Sequence, residues 1–222
     1  MQGASSLNPK VGIMGIILLD IGNVVVTVDF LPFCKTVSRD GDSGARKVMN
    51  SYCEGDLKDR FDRGMISPHE FLGKIAADPL TVDMPLNELR YAWQNIFSHQ
   101  PGAIEAIKML QEHHSVWIMS DTDPLHFAFL INTFPVLRDL DRYFLSYEHG
   151  HLKRSPDAFR NVLERTGVGA SEFTLIDDRP VNCAASRVAG INSIQFRDWH
   201  ETLALLSLPA GGNGSCPNRS GA

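Results

Sequence analysis

Five short apolar runs punctuate the chain: GIILL (15–19), SVWIMS (115–120), RYFLSY (142–147), FTLID (173–177) and NSIQF (192–196). Each spans only five or six residues and is bounded by polar or turn-forming positions, the pattern of a buried strand. The segments between them carry helical spacing. GAIEAIKMLQEHH (102–114) sets Ile104, Ile107 and Leu110 three apart. SPDAFRNVLERTGV (155–168) opens on Ser-Pro and closes on Gly167, a start and a stop signal for a helix. Strand and helix in alternation predict an α/β fold whose parallel sheet is covered on both faces.

Residues 31–97 break this rhythm. ARKVMNSYCEGDLKDRFDRGMISPHEFLGKIAADP and PLNELRYAWQNIF read as helices and turns without a convincing strand. The expected organisation is a core of residues 14–30 and 98–208, a helical cap of residues 31–97, and flexible ends at 1–13 and 209–222. In open parallel sheets ligands bind beyond the carboxyl ends of the strands. A helical insertion leaving the first strand at that end hangs over the binding edge as a lid.

Composition narrows the function classes. The 222 residues suffice for one large domain, or for a core carrying a smaller insertion, and 43% apolar with 21% charged is ordinary for a soluble globular protein. A formal net charge of −5 and a pI near 5.9 argue against nucleic-acid binding through a broad basic surface. No apolar run approaches the roughly 20 residues of a membrane span, and the opening MQGASSLNPKVGIMG lacks the basic start and apolar stretch of a secretory signal. Cys34, Cys53, Cys183 and Cys216 show no C-x-x-C spacing, so they read as ordinary thiols in a reducing compartment. A cytoplasmic location is expected. The N-x-S matches at Asn213 and Asn218 then read as chance.

Polar residues gather where the predicted strands end. Asp20 follows the first run, Ser120 ends the second with Asp121 next to it, Lys153 follows the third by a loop, and Asp177 and Asp178 end the fourth. Taken singly these are a turn former, a helix N-cap pair and a solvated lysine. Together they converge on one edge of one sheet. Three carboxylates that close repel one another unless a cation sits among them, and an oxygen-rich site with open positions suits Mg²⁺ beside a substrate phosphate. With Ser120 at a helix start and Lys153 as a fixed charge, the set matches what phosphoryl transfer needs.

LLDIGNVVVTVDF, IMSDTDPLHF, GHLKRSPDAF and LIDDRPVNCAASRVAGINSIQF, in this order, resemble the four motifs of the haloacid dehalogenase (HAD)-like hydrolase superfamily. The resemblance runs from about residue 14 to 198, and FDRGMISPHEFL looks like part of that group's helical cap. It implies a Rossmann-like, doubly wound parallel sheet with the cap inserted after the first strand. It also implies Asp20 as an aspartyl nucleophile, with Mg²⁺ held by Asp20, the Gly22 carbonyl and Asp178, and Asp177 in support. Ser120, Asp121 and Lys153 fall on the phosphate-binding positions, and Asn182 lies one helical step beyond the acidic pair.

Three positions depart from the common pattern. Gly22 stands where the usual D-x-D motif carries its acid/base, as it does in a D-x-G-N-V group of sugar-phosphate phosphatases; Asp29, Asp123 and His126 are candidate replacements. Asp121 replaces an Asn, and Arg154 replaces a proline and is expected at the surface. Of the cap aromatics Phe30, Phe33, Tyr52, Phe61, Trp93 and Phe97, most have the spacing of packing residues, with one or two left for the pocket. The expectation is a Mg²⁺-dependent phosphatase for a small phosphorylated metabolite such as a sugar phosphate. The rival readings are a non-catalytic binding or regulatory protein and a 2-haloacid dehalogenase, the latter disfavoured because Asp177 and Asp178 would repel a carboxylate substrate.

Overall fold

A computed structural model of the chain describes residues 15–206. The expectations for residues 1–13 and 209–222, including Asn213, Asn218 and Cys216, lie outside the described residues. The strands are β1 (Ile16–Leu19), β2 (Val26–Val28), β3 (Phe97–His99), β4 (Ser115–Ser120), β5 (Arg142–Leu145), β6 (Phe173–Asp177) and β7 (Asn192–Gln195). Five of them form one sheet in the order β5-β4-β1-β6-β7, and every pairing is parallel. All five carboxyl ends therefore emerge along the same edge, with β1 central. β2 and β3 form a separate antiparallel pair above that edge, Val28 opposite Phe97; at three residues each they are too short to leave a periodic signature in sequence.

Helices α1 (Leu31–Val37), α2 (Ala45–Val48), α3 (Gly55–Asp62), α4 (Pro68–Ala76) and α5 (Leu86–Gln94) lie between β2 and β3 in the chain. The rest flank the main sheet: α6 (Ala103–His113), α7 (Pro124–Thr133), α8 (Ser146–His149), α9 (Pro156–Thr166), α10 (Pro180–Val188) and α11 (Trp199–Leu205). Three helices start the same way. Ser67, Asp123 and Ser155 each accept a backbone N–H of the first turn, and a proline follows at once, where its missing N–H costs nothing.

Strand alternation sorts the core into two layers. Ile17 and Leu19 face α6 and α11 with Val116 and Ile118, while Leu18 faces α9 with Trp117 and Met119. On α6 the buried stripe is Ala103, Ala106, Ile107 and Leu110; Ile104, expected inside, is 37% exposed. The buried positions recur at i, i+3, i+4 and i+7 from Ala103, which leaves Ile104 at the edge of the stripe. The third run also ends sooner than expected, at Leu145. Ser146 turns away because its hydroxyl accepts the Thr122 N–H at 2.9 Å and donates to the Thr122 carbonyl at 3.1 Å.

The cap-region helices bury an apolar core of their own. Phe33, Phe61, Phe71 and Trp93 are enclosed, with Phe61 stacked on Phe71 at 4.2 Å and Trp93 edge-on to Phe33 at 5.0 Å. Cys34 and Cys53 meet there, Sγ to Sγ 3.6 Å. These helices meet the core at several places, among them Trp93 stacked on His126 of α7 at 4.6 Å, and one approach is especially tight. Gly64 has φ +68°, and a Cβ there would lie 2.2 Å from the Tyr147 carbonyl oxygen of α8. No helix among the described residues is long and apolar enough to cross a membrane.

Gly64→Ala is therefore expected to destabilise the protein by more than about 2 kcal/mol, since the left-handed backbone alone costs an L-residue roughly 1–2 kcal/mol. Urea unfolding monitored by tryptophan fluorescence reads this as a fall in midpoint. An unchanged midpoint would mean that the cap separates from α8 at no cost.

Candidate active site

The parallel register aligns the chemistry. Leu19 pairs with Ile118 on one side and Ile176 on the other, so the next residue, Asp20, lies level with the ends of β4 and β6. Its backbone N–H donates to the Ile176 carbonyl at 3.0 Å. Lys153, from the loop between α8 and α9, reaches in from the side. Its Nζ lies 2.6 Å from Asp20 Oδ1 and 2.5 Å from Asp177 Oδ2. Carboxylate oxygens of Asp20, Asp177 and Asp178 all fall within 4.8 Å of one another.

Asp177 is fully enclosed and held from several directions. Its oxygens accept from the Arg179 N–H at 2.9 Å and from Asn182 Nδ2 at 3.0 and 3.1 Å. Asn182 Oδ1 remains buried without a partner. Asn23 takes a left-handed backbone, φ 55°, which asparagine tolerates. Its side chain donates to Asp178 Oδ2 at 3.2 Å and accepts the Val28 N–H at 3.2 Å, tying the acidic pair to β2.

The electrostatics carry an excess of negative charge. Burial pushes Asp20 up to about 8; Lys153 opposes this, and Asp177 and Asp178 add to it. Burial likewise raises Asp178 and Asp121. Burial pulls Lys153 down, but Asp177, Asp20 and Asp121 outweigh it and hold the ammonium above its ordinary range. One lysine thus serves a cluster of carboxylates and leaves negative charge over. Hard oxygen donors in excess, with the Asn182 oxygen unpartnered beside them, fit a divalent cation such as Mg²⁺.

Two connected hollows lie over the strand ends. The smaller, about 150 Å³, is lined by Asp20, Lys153, Asp178 and Asn182. The larger, about 720 Å³, lies between the cap and the core, and Gly22, Asn23, Val28, Asp121 and Arg179 border both. Its volume is that of a small-molecule site. Phe30 and Phe97 reach its wall, while Phe33, Phe61 and Trp93 are packing residues. Tyr52 is buried as well, its hydroxyl donating to Asp78.

Several expected roles change. Ser120 lines the larger chamber but does not start a helix: α7 begins at Pro124, and its cap is Asp123. Asp121 is pinned by the Lys153 backbone N–H at 2.9 and 3.2 Å, so it positions the lysine loop. Arg154 lies at the surface as expected, but it is paired there. Both its terminal nitrogens donate to Asp59 of α3, which ties the cap to the core at the chamber's wall and lowers the Asp59 carboxyl. Gly22 does more than omit a side chain, because a Cβ there would come within 3.3 Å of Val28 Cγ2.

The candidate replacement acids are committed elsewhere. Asp29 caps the α1 turn through the Leu31 N–H at 2.9 Å. Asp123 is fully buried and accepts from Leu125, His126 and Trp93. Burial would raise its carboxyl, but His126, 2.8 Å away, and Lys58 hold it down at about 2. His126 faces the Asp123 carboxylate with Nδ1 and the Trp93 carbonyl with Nε2, at 2.8 and 2.9 Å. Sequence reasoning missed Asn23, although it sits in the D-x-G-N-V motif, and also Lys58 and Asp62, whose cap position gives no signal.

A family model for haloacid dehalogenase-like hydrolases matches residues 16–190, which span both the strand-end residues and the cap. The chain belongs to this family. The HAD-like hydrolase is 24% identical over 203 residues to a D-ribitol-5-phosphate phosphatase of Bacteroides thetaiotaomicron, covering 86% of this chain and 97% of that protein. Its fold superposes on a solved HAD family enzyme of the same organism with a TM-score of 0.76, at 21% identity, covering 88% of this chain and 98% of that one. A structure of such an enzyme with magnesium and inorganic phosphate gives 0.71 at 22% identity, covering 86% and 99%. The L-2-haloacid dehalogenase of Xanthobacter autotrophicus superposes less closely, with 0.60 at 16% identity, covering 88% and 83%.

The raised Asp20 carboxyl sets a linkage. The folded state holds a proton that the unfolded state has lost between about pH 4 and 8, so this group makes stability fall as pH rises through that window. A cation displaces the proton and relieves the repulsion, so its stabilising effect grows with pH. Thermal unfolding with and without 10 mM Mg²⁺ is expected to show a larger rise in Tm at pH 8 than at pH 5. An equal shift at both pH values would remove Asp20 from the cation site.

Proposed function

We propose that this HAD-like hydrolase is a Mg²⁺-dependent phosphatase for a small phosphorylated metabolite of the sugar or sugar-alcohol phosphate class, working through an aspartyl-phosphate on Asp20. The observation that carries the reading is the buried cluster of Asp20, Asp177 and Asp178 around a single lysine. Such a cluster is poised for a cation and a phosphoryl group together, and a bare carboxylate substrate would meet repulsion there. Likeness to the D-ribitol-5-phosphate phosphatase supports the substrate class. The chamber roofed by the cap supports a small substrate, because it admits a metabolite and excludes a folded protein.

In this reading the Asp20 carboxylate attacks phosphorus while Lys153 Nζ and Ser120 Oγ bind the non-bridging oxygens. The ester P–O bond breaks and the alcohol leaves. Water then attacks the aspartyl-phosphate, freeing inorganic phosphate and restoring the carboxylate. Lys153, 2.6 Å from Asp20, opposes the upward push of burial and so favours the ionised nucleophile, which a bound cation would favour further. Asp20, the Gly22 carbonyl and Asp178 would hold Mg²⁺, with Asp177 in support; when bound, the ion neutralises charge on the transferring group.

Phosphate release from a panel of sugar phosphates, D-ribitol 5-phosphate and nucleotides tests this. Asp20→Asn is expected to lower turnover by about 10³-fold or more, and EDTA to abolish it reversibly. Release that persists unchanged in the variant or in chelator rejects the reading. Absence of release from every compound favours a binding protein.

A further inference from the structure

The D-x-G motif leaves the ester oxygen without a proton source from Gly22, yet hydrolysis of an alkyl phosphate needs one. Four carboxylates line the larger chamber: Glu54, Asp59, Asp62 and Asp121. Asp59 is engaged by the Arg154 fork, Asp121 by the Lys153 backbone, and Glu54 is solvent-exposed. Asp62, the last residue of α3, is also paired, but its partner comes from its own helix and it stays largely enclosed at the chamber. Its side chain is 11% exposed, it opens onto the chamber, and its side-chain partner is Lys58 one turn earlier. Lys58 is itself shared with Asp123 at 3.8 Å.

We propose that Asp62 of the cap is the proton donor and acceptor that replaces the missing side chain at Gly22, with Lys58 as its positioning residue. The proposal rests on the phosphatase reading. In the first step the Asp62 carboxylic acid gives its proton to the ester oxygen as Asp20 bonds to phosphorus and the P–O bond to the alcohol breaks. In the second, the Asp62 carboxylate takes a proton from the attacking water as the phosphorus–Asp20 bond breaks. One proton leaves Asp62 and one returns, so water plus phosphoester gives alcohol plus phosphate.

Placement on the cap has a consequence. The donor comes over the ester only when the cap is down, which couples proton transfer to exclusion of water. The surroundings suit the role. Burial pushes the Asp62 carboxyl up to about 6, Lys58 opposing and Asp123 adding, which makes both forms accessible near neutral pH. The charged groups around it are Lys58 on α3, Arg154 beside α9, Asp121 after β4, and Asp123 and His126 on α7. From α8, Tyr147 senses Asp123. His126 has both ring nitrogens bonded and no free position for an ester oxygen.

The test compares two esters whose leaving groups need protonation to different degrees. On D-ribitol 5-phosphate, Asp62→Asn is expected to lower kcat by about 10²–10⁴-fold, the usual worth of general acid catalysis. On p-nitrophenyl phosphate, whose phenolate leaves unaided, the same variant is expected to lose less than about 10-fold. Wild-type turnover of the alkyl ester falls as pH rises through about 6, where Asp62 loses its proton, and Asp62→Asn abolishes that limb while Asp62→Glu restores it in part. An equal loss on both esters, or none on either, overturns the proposal; so does a pH limb that survives in Asp62→Asn. If D-ribitol 5-phosphate is not a substrate, the best alkyl phosphate of the panel takes its place; a wild-type protein that hydrolyses no member of the panel overturns the phosphatase reading first, and the proton donor with it.

Discussion

The Lys153 ammonium, buried between Asp20 and Asp177, is the contact on which the site depends. Carboxylates from two neighbouring strand ends are brought together by the sheet whether or not their charges agree. In water their repulsion is slight; in an enclosed site it is several-fold larger. Without Lys153 both carboxylates would be buried unpaired, a change typically worth about 3–5 kcal/mol. The lysine compensates part of that repulsion, and what remains makes the site receptive to a cation. The same excess charge therefore strains the free protein and prepares it for its ligand.

Everything around this contact works to place it. The parallel order β5-β4-β1-β6-β7 sets the Asp20 strand between those that carry Ser120 and Asp177. Asp121 accepts the Lys153 backbone N–H and so fixes the lysine loop; Asn182 and the Arg179 N–H fix Asp177; Asn23 fixes Asp178. These supports come from three different strand-end loops. A shift in any one of them moves a carboxylate or the lysine, which is why polar residues with no direct chemistry of their own are enclosed here.

The cap packs on α7 through Leu125 and the Trp93–His126 stack, and is attached by two further kinds of contact. One is steric: the α3–α4 turn lies against the α8 backbone at Gly64 with no room for a methyl group. The other is electrostatic, the Asp59–Arg154 fork and the buried group of Lys58, Asp62, Asp123 and His126. Exposed ion pairs contribute little, but the second group is largely enclosed, so its charges are oriented by one another. The junction is thus mixed, with charged groups set beside Leu125 and the stacked Trp93 and His126 rings.

Much of this was legible in the chain. Each strand of the main sheet is a short apolar run, and the residues at their ends could be named because strand ends in a parallel sheet are forced to one edge. Asp20, Ser120, Asp177 and Asp178 stand at strand ends by that rule, while Lys153, beyond α8, joined them through its motif. What pattern could not decide was every contact between segments distant in sequence. Ile104 lies at the edge of a stripe that starts at Ala103, because small Ala103 and Ala106 occupy buried positions that a search for large apolar residues passes over. Asp123 and His126, plausible acids on paper, are used up by Trp93 and by each other. Arg154 found Asp59, 95 residues away. Local order is written in the periodicity of neighbours, because burial repeats with the backbone. Which charge meets which is settled only when the cap packs on the core, and that packing set the Lys58–Asp62 pair at the chamber wall.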